Sequence, residues 1–84
     1  MAGKITAEAE SRREAILRYI DAYRRTRGWS PSYKEIMAEV GISSLSHMSY
    51  HLTGLERRGL LFREPNQARA MRLTKRGRAL IESQ

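Results

Sequence analysis

Apolar residues in the middle of the chain recur at spacings of three and four, which is the period of an amphipathic helix. Two such sets lie between Pro31 and Arg58, with Gly41 near their junction. The first set predicts a helix of about two turns and its exit. Its members are Ile36, Val40 and Ile42. The second set predicts the buried stripe of a longer helix over residues 45–58. Its members are Leu45, Met48, Leu52 and Leu55.

Polar residues and a glycine mark the ends of these two helices. Ser32 and Glu35 have the spacing of a capping box, in which each side chain accepts from the backbone N–H of the other residue. Gly41 supplies the left-handed conformation that a tight reversal needs. Ser43 or Ser44 can cap the second helix. Two short helices joined in this way predict a helix-turn-helix that reads double-stranded DNA.

The outer face of the second helix is polar and nearly free of charge. It carries Ser46, His47, Ser49, Tyr50 and Thr53. Short side chains of this kind can approach base edges in the major groove closely. Serine discriminates weakly among bases, so we expect His47 and Tyr50 to supply more of the selectivity. A structural alternative for Tyr50 is packing on the first helix of the motif.

The segment before the motif predicts one further helix. Ser11 and Glu14 form a second possible capping box, and an apolar face follows. That face comprises Ile16, Tyr19, Ile20 and Tyr23. We expect residues 1–10 to form a flexible tail, although Thr6 could start the helix earlier, and we expect the helix to end at Gly28. Trp29 is expected to pack the following loop onto the core.

After Gly59, a plausible helix end, the pattern changes to short alternating runs. Residues 60–63 and 70–73 predict two strands around a turn that contains Pro65 and Asn66. This hairpin is a wing over about residues 60–73. Its arginines would contact phosphates or an adjacent minor groove; they are Arg63, Arg69 and Arg72. The alternative is a hairpin that only covers the core.

Thr74 can cap a last helix over about residues 75–82. The order helix, helix, helix, hairpin, helix predicts a mainly α fold with a small β-hairpin, a winged helix-turn-helix. We expect residues 11–84 to form this single domain.

Charge agrees with a nucleic-acid partner. The 84 residues carry a net charge of +7. Lys and Arg outnumber Asp and Glu by seven to four in residues 1–28 and by six to two in residues 60–84, whereas residues 29–59 hold three of each. A neutral centre with basic flanks predicts base reading at the centre and phosphate contacts on either side. Solvated arginines without a partner are the alternative.

Other functional classes find little support in the sequence. His47 and His51 have the spacing of two zinc ligands, but no third ligand accompanies them, and we expect no metal and no cofactor. His51 is better explained as a half-buried edge residue. No nucleophile with its base and no glycine-rich phosphate loop occurs, so we expect no enzyme.

Gly54 lies mid-helix, which indicates close approach of a neighbour or of DNA. A cysteine-free chain without a long apolar run predicts a cytoplasmic, nucleoid-associated protein. A protein-docking module and a basic domain that binds RNA or any duplex remain alternatives.

The run from about Glu14 to Leu73 resembles the DNA-binding domain of the LexA repressors. The resemblance is carried by REAILRYI, by GWSPSYKEIMAEVGISSLSHMSYHLTGLERRGLL and by RAMRL at the end of the wing. It implies that the helix over Leu45–Arg58 enters the major groove, with base-reading positions at Ser44, Ser46, His47, Ser49 and Tyr50. Ser44 matches the usual family residue and the other four differ, so no operator sequence is implied. Ser32 and Tyr33 complete the expected DNA-binding set.

Two features depart from that family. LexA repressors continue into an autoproteolytic domain with a Ser–Lys dyad, whereas this chain ends where the linker would begin, so self-cleavage is not implied. Its LTKRGRALIE segment is similar to the closing segment of MarR-like and PadR-like regulators. We expect double-stranded DNA as the partner and a homodimer, at least on DNA. Leu80, Ile81 or the wing would contribute to contact between the copies.

Overall fold

The computed structural model describes residues 6–65 and 70–83. Three helices come first: α1 (Ala7–Arg27), α2 (Tyr33–Val40) and α3 (Leu45–Arg57). An antiparallel hairpin of β1 (Leu61–Arg63) and β2 (Met71–Leu73) follows, and α4 (Lys75–Glu82) closes the chain. The predicted winged helix-turn-helix is confirmed. In the part of the chain that is described, no helix is both long and apolar enough to span a membrane.

Helix α1 starts earlier than the second capping box predicted. Thr6 is its N-cap, and the Thr6 hydroxyl accepts from the Ala9 N–H at 3.1 Å. Ser11 lies inside the helix, so its predicted capping role is wrong, and residues 7–10 are helical rather than part of a tail. Glu8 and Glu10 stand in the first turn, where the positive end of the helix dipole favours acids. The predicted end at Gly28 is confirmed by its left-handed φ of 87°.

The helix-turn-helix forms through the predicted local signals. The capping box of Ser32 and Glu35 is complete, and Gly41 adopts a φ of 75° at the end of α2. Ser44, rather than Ser43, caps α3. Two backbone hydrogen bonds close the C-terminal end of α3. The Gly59 N–H donates to the Glu56 carbonyl and the Leu60 N–H donates to the Leu55 carbonyl, both at 3.0 Å. This pairing is a Schellman motif, and it fixes the direction in which the chain enters the wing.

One core lies between the helices and the hairpin. Its fully enclosed side chains come from α1, α2 and α3; they are Ile16, Leu17, Ile20, Ile36, Met48, Leu52 and Leu55. Leu45 was predicted to belong to this stripe, and that prediction is wrong because its side chain is 62% exposed. A Cβ on a helix points toward the N-terminus, so the first residue of α3 projects beyond the packed turns. His51 is buried in the stripe instead, with 1% exposure.

The tryptophan of the loop after α1 lies largely at the surface. Trp29 is 53% exposed, so the predicted core role is wrong. Ser30 and Pro31 are the buried residues of this loop. The Ser30 hydroxyl accepts from the Met71 N–H at 3.2 Å, and the Arg24 guanidinium donates to the Met71 carbonyl at 3.2 Å. The loop and the end of α1 are therefore bonded directly to β2.

Helix α4 packs against the base of the wing and is hydrogen-bonded to it. Thr74 caps it as predicted, and the Thr74 hydroxyl also donates to the Gly59 carbonyl at 2.6 Å. Gly77 lies so close to the preceding segment that an added Cβ would stand 2.1 Å from the Leu60 carbonyl oxygen. Ile81 is buried in the core of its own domain with 7% exposure, so it is not available for the predicted contact between copies. Leu80 is half-buried.

Candidate nucleic-acid interface

The solvent-facing side of α3 carries most of the predicted base-reading residues. Ser46, His47, Ser49 and Tyr50 are exposed, and Thr53 is half-buried. Positions 46, 50, 53 and 57 follow one another at spacings of four, three and four, so they lie along a single helix face. The buried residues of α3 occupy the opposite side. The helix thus presents one polar face while its other face holds it on the core.

Arg57 shares this face, although it was not among the predicted DNA contacts. It is exposed and lies in the last turn of α3. The spacing from Ser46 through Tyr50 and Thr53 to Arg57 could have found it, because the same periodicity that defines the polar face continues to position 57. An exposed cation at this end of the face can contact an anionic ligand.

Two predicted DNA contacts have structural roles at helix starts. The Ser44 hydroxyl accepts from the His47 N–H at 3.1 Å, and the Ser32 hydroxyl accepts from the Glu35 N–H at 3.1 Å. Each hydroxyl keeps its own hydrogen as a donor. Ser44 is exposed and Ser32 is half-buried, so Ser44 is the better placed of the two to meet a ligand.

A polar network lies beneath the first half of α3. The Arg13 Nε–H of α1 donates to His51 Nδ1 at 3.0 Å, and His51 Nε2 lies 3.2 Å from His47 Nε2. Burial, followed by the neighbouring Arg13 charge, lowers the pKa of His51 to about 4. His51 is therefore a neutral, enclosed residue, and the expectation that it would be half-buried is wrong. This network joins the exposed His47 to the interior.

Tyr50 also touches this network. Its ring centroid lies 5.1 Å from the Arg13 guanidinium carbon and 5.3 Å from the His51 ring centroid. The side chain is 59% exposed, so its outer part is free to meet a ligand. These two ring partners belong to α1 and α3.

Gly54 makes room for the Arg13 side chain. A Cβ at position 54 would stand 2.5 Å from the guanidinium carbon. The expected close approach of a neighbour is therefore confirmed, and the neighbour is an arginine of α1. Without this glycine, Arg13 could not reach His51 along its present path.

The wing arginines differ in their surroundings. The Arg63 guanidinium forms an ion pair with Glu56 at 2.6 Å and donates to the Tyr33 hydroxyl at 2.5 Å. The Glu56 hydrogen bond raises the pKa of Arg63. Arg63 and Tyr33, both predicted DNA contacts, are thus engaged with each other. Arg72 is exposed, and its guanidinium carbon lies 4.6 Å from the centroid of the Phe62 ring. Asn66 and Arg69 lie outside the described residues.

Comparison with known proteins agrees with this geometry. A family model described as the LexA DNA binding domain matches residues 8–70. The chain belongs to this family. LexA repressors from Ligilactobacillus salivarius, Oenococcus oeni and Clostridium acetobutylicum are similar, with 37%, 40% and 40% identity over 75, 69 and 72 residues. These alignments cover 89%, 82% and 86% of this chain and 36%, 32% and 34% of the respective repressors.

The chain therefore spans about a third of the length of the LexA repressors it matches. What it shares with them is the DNA-binding domain, and the matched region ends at residue 70. Strand β2 and helix α4 follow that point, yet both pack on the same core as the LexA-type helices.

Proposed function

We propose that this chain is a sequence-specific double-stranded DNA-binding repressor that inserts α3 into the major groove. The observation that carries the proposal is the exposed polar face of α3 through Ser46, Tyr50 and Arg57, opposite a fully buried apolar face. A helix held on one side and polar on the other fits the width of the major groove. Membership in the LexA DNA-binding domain family supports the same function.

The basic residues divide into positioning and supporting groups. Arg57 on α3 and Arg72 on β2 are exposed, so they are proposed phosphate contacts. Arg69 is proposed as a third, from the sequence. Arg63 instead holds the wing against α2 and α3 through Tyr33 and Glu56. Its contribution to binding is therefore the orientation of the wing.

Two copies are proposed to bind together. A single module of this size offers few base contacts, so the proposed site is a palindrome or direct repeat with half-sites about one helical turn apart. Sedimentation of the protein alone and on its selected site tests this. A single copy bound with full affinity to a minimal asymmetric site would contradict it.

Selection from a random duplex library tests the proposed function. We expect one enriched motif. Fluorescence anisotropy then measures binding to that motif and to random duplex. The Tyr50→Ala variant should lose about 1–3 kcal/mol of binding free energy on that motif and much less on random duplex, because base contacts are lost while phosphate contacts remain. Tyr50→Phe, which keeps the ring beside Arg13, is the matched control for the hydroxyl.

The other outcomes identify the alternatives. Equal losses on the two duplexes, with a lower melting temperature, would make Tyr50 a packing residue. Stronger binding to a structured RNA than to any duplex would indicate a shape-selective RNA-binding domain. Absence of nucleic-acid binding would leave a protein-docking role.

A further inference from the structure

The chain of hydrogen bonds from Arg13 to His47 has a direction that chemistry fixes. A guanidinium is protonated throughout the accessible pH range and can only donate. His51 Nδ1, 3.0 Å from the Arg13 Nε–H, must therefore be the acceptor. A neutral imidazole carries one hydrogen, so the hydrogen of His51 is on Nε2.

The same reasoning continues to the surface. His51 Nε2 lies 3.2 Å from His47 Nε2. Since the first nitrogen carries the hydrogen, the second must accept it. A neutral His47 then has its own hydrogen on Nδ1. If His47 carried its hydrogen on Nε2, the Nε2–H groups of the two histidines would face each other. If His51 carried its hydrogen on Nδ1, that N–H would face the Arg13 donor.

Burial of the first two residues of this hydrogen-bond chain maintains the arrangement. Arg13 and His51 are both buried. Within the described residues no carboxylate lies within ion-pair distance of Arg13. Arg13 donates to the imidazole nitrogen of His51, with the Tyr50 ring beside it. A buried donor without a partner costs free energy, so the cation favours the acceptor form of His51 Nδ1.

We propose that Arg13 is a positioning residue that sets the tautomer of His47 through His51, so that His47 presents an Nδ1–H donor to the major groove. This inference rests on the proposed function of α3 as the reading helix. It assigns a specificity role to a residue on α1 that lies 38 positions from the histidine it bonds.

The consequence is a restricted set of bases at one position. Guanine presents N7 and O6 as acceptors and thymine presents O4, whereas cytosine presents the N4 amino group, which is a donor. A fixed Nδ1–H donor can pair with guanine, with thymine O4 or with adenine N7. It cannot pair with the cytosine amino group. The base opposite His47 is therefore expected to exclude cytosine.

Nitrogen-15 NMR of the imidazoles in the free protein tests the tautomers without DNA. At about pH 8, where an ordinary imidazole is neutral, we expect the Nε2–H form for His51 and the Nδ1–H form for His47. Arg13→Met removes the donor and should convert both rings to mixtures of the two forms. Arg13→Lys restores a cationic donor and should restore the wild-type pattern. An Nε2–H form or a mixture for His47 in the wild-type protein would overturn the proposal, whether or not either variant folds.

Selection from a random duplex library with the same proteins tests whether His47 reads a base. Discrimination against cytosine at one motif position should fall about five- to tenfold in His47→Ala and in Arg13→Met, and Arg13→Lys should retain it. An unchanged selection profile in His47→Ala would refute the reading role even with the expected tautomers. Absence of any enriched motif in the wild-type protein would overturn the proposed function and the reading role together, while the free-protein spectrum decides the tautomer by itself.

Discussion

Acidification should destabilise this domain through one buried histidine. Burial and the adjacent Arg13 charge lower the pKa of His51 from 6.5 to about 4 in the folded state. The unfolded chain takes up this proton near its ordinary pKa, whereas the folded domain resists it. The stabilisation is therefore fully present above about pH 6.5 and is lost progressively as the pH falls toward 4.

The size of the effect follows from the two pKa values. At about pH 5 the unfolded chain is almost fully protonated at His51 and the folded domain is mostly not. The linkage relation then gives a loss of about 2 kcal/mol in the free energy of unfolding between about pH 7.5 and pH 5. That is a substantial part of the stability of a domain of this size.

Urea denaturation followed by circular dichroism, at several pH values in this window, measures the loss. His51→Gln keeps an acceptor for Arg13 but removes the titrating group, so its stability should vary much less with pH. His47→Gln is the matched control, because it removes the exposed histidine and leaves the buried one. A loss of less than about 0.5 kcal/mol in the wild-type protein, or a full pH dependence in His51→Gln, would refute the role of His51.

Three further substitutions test the packing and the interface. Gly77→Ala should lower the free energy of unfolding by about 2–3 kcal/mol, because the added Cβ meets the Leu60 carbonyl, while Arg78→Ala on the exposed side should be nearly neutral in urea denaturation. Arg72→Ala should weaken binding to all duplexes and reduce the salt slope by about one, whereas Arg25→Ala should leave titrations against salt unchanged. Arg63→Ala should lower stability by about 1 kcal/mol as well as affinity, since Glu56 loses its partner; a normal melting temperature would contradict the anchoring role.

Local signals predicted the helix-turn-helix well. The capping box at Ser32 and the glycine ends at Gly28 and Gly41 depend on residues within a few positions, and each formed as predicted. The start of α1 was left open between Thr6 and Ser11, because both are good caps and short-range patterns do not rank them; the structure has Thr6.

Long-range contacts explain the remaining differences. Leu45 and Trp29 fit apolar patterns, but their burial depends on which element covers them, and none does. Arg63 reaches Tyr33 across 30 positions and Arg13 reaches His51 across 38, so neither contact has a local signature. Periodicity identified the face of α3 that could read DNA. It could not show that Arg13 of α1 bonds to His51 beneath that face.

The bonds between the α1–α2 loop and Met71 have a consequence for association. A two-stranded sheet has two free edges, and unpaired N–H and C=O groups on an edge invite a strand from another chain. On β2 the Met71 N–H is taken by Ser30 and its carbonyl by Arg24. At Met71 the edge therefore offers no free backbone group to an incoming strand, so the hairpin is protected from edge-to-edge aggregation at this position even though it is only two strands wide.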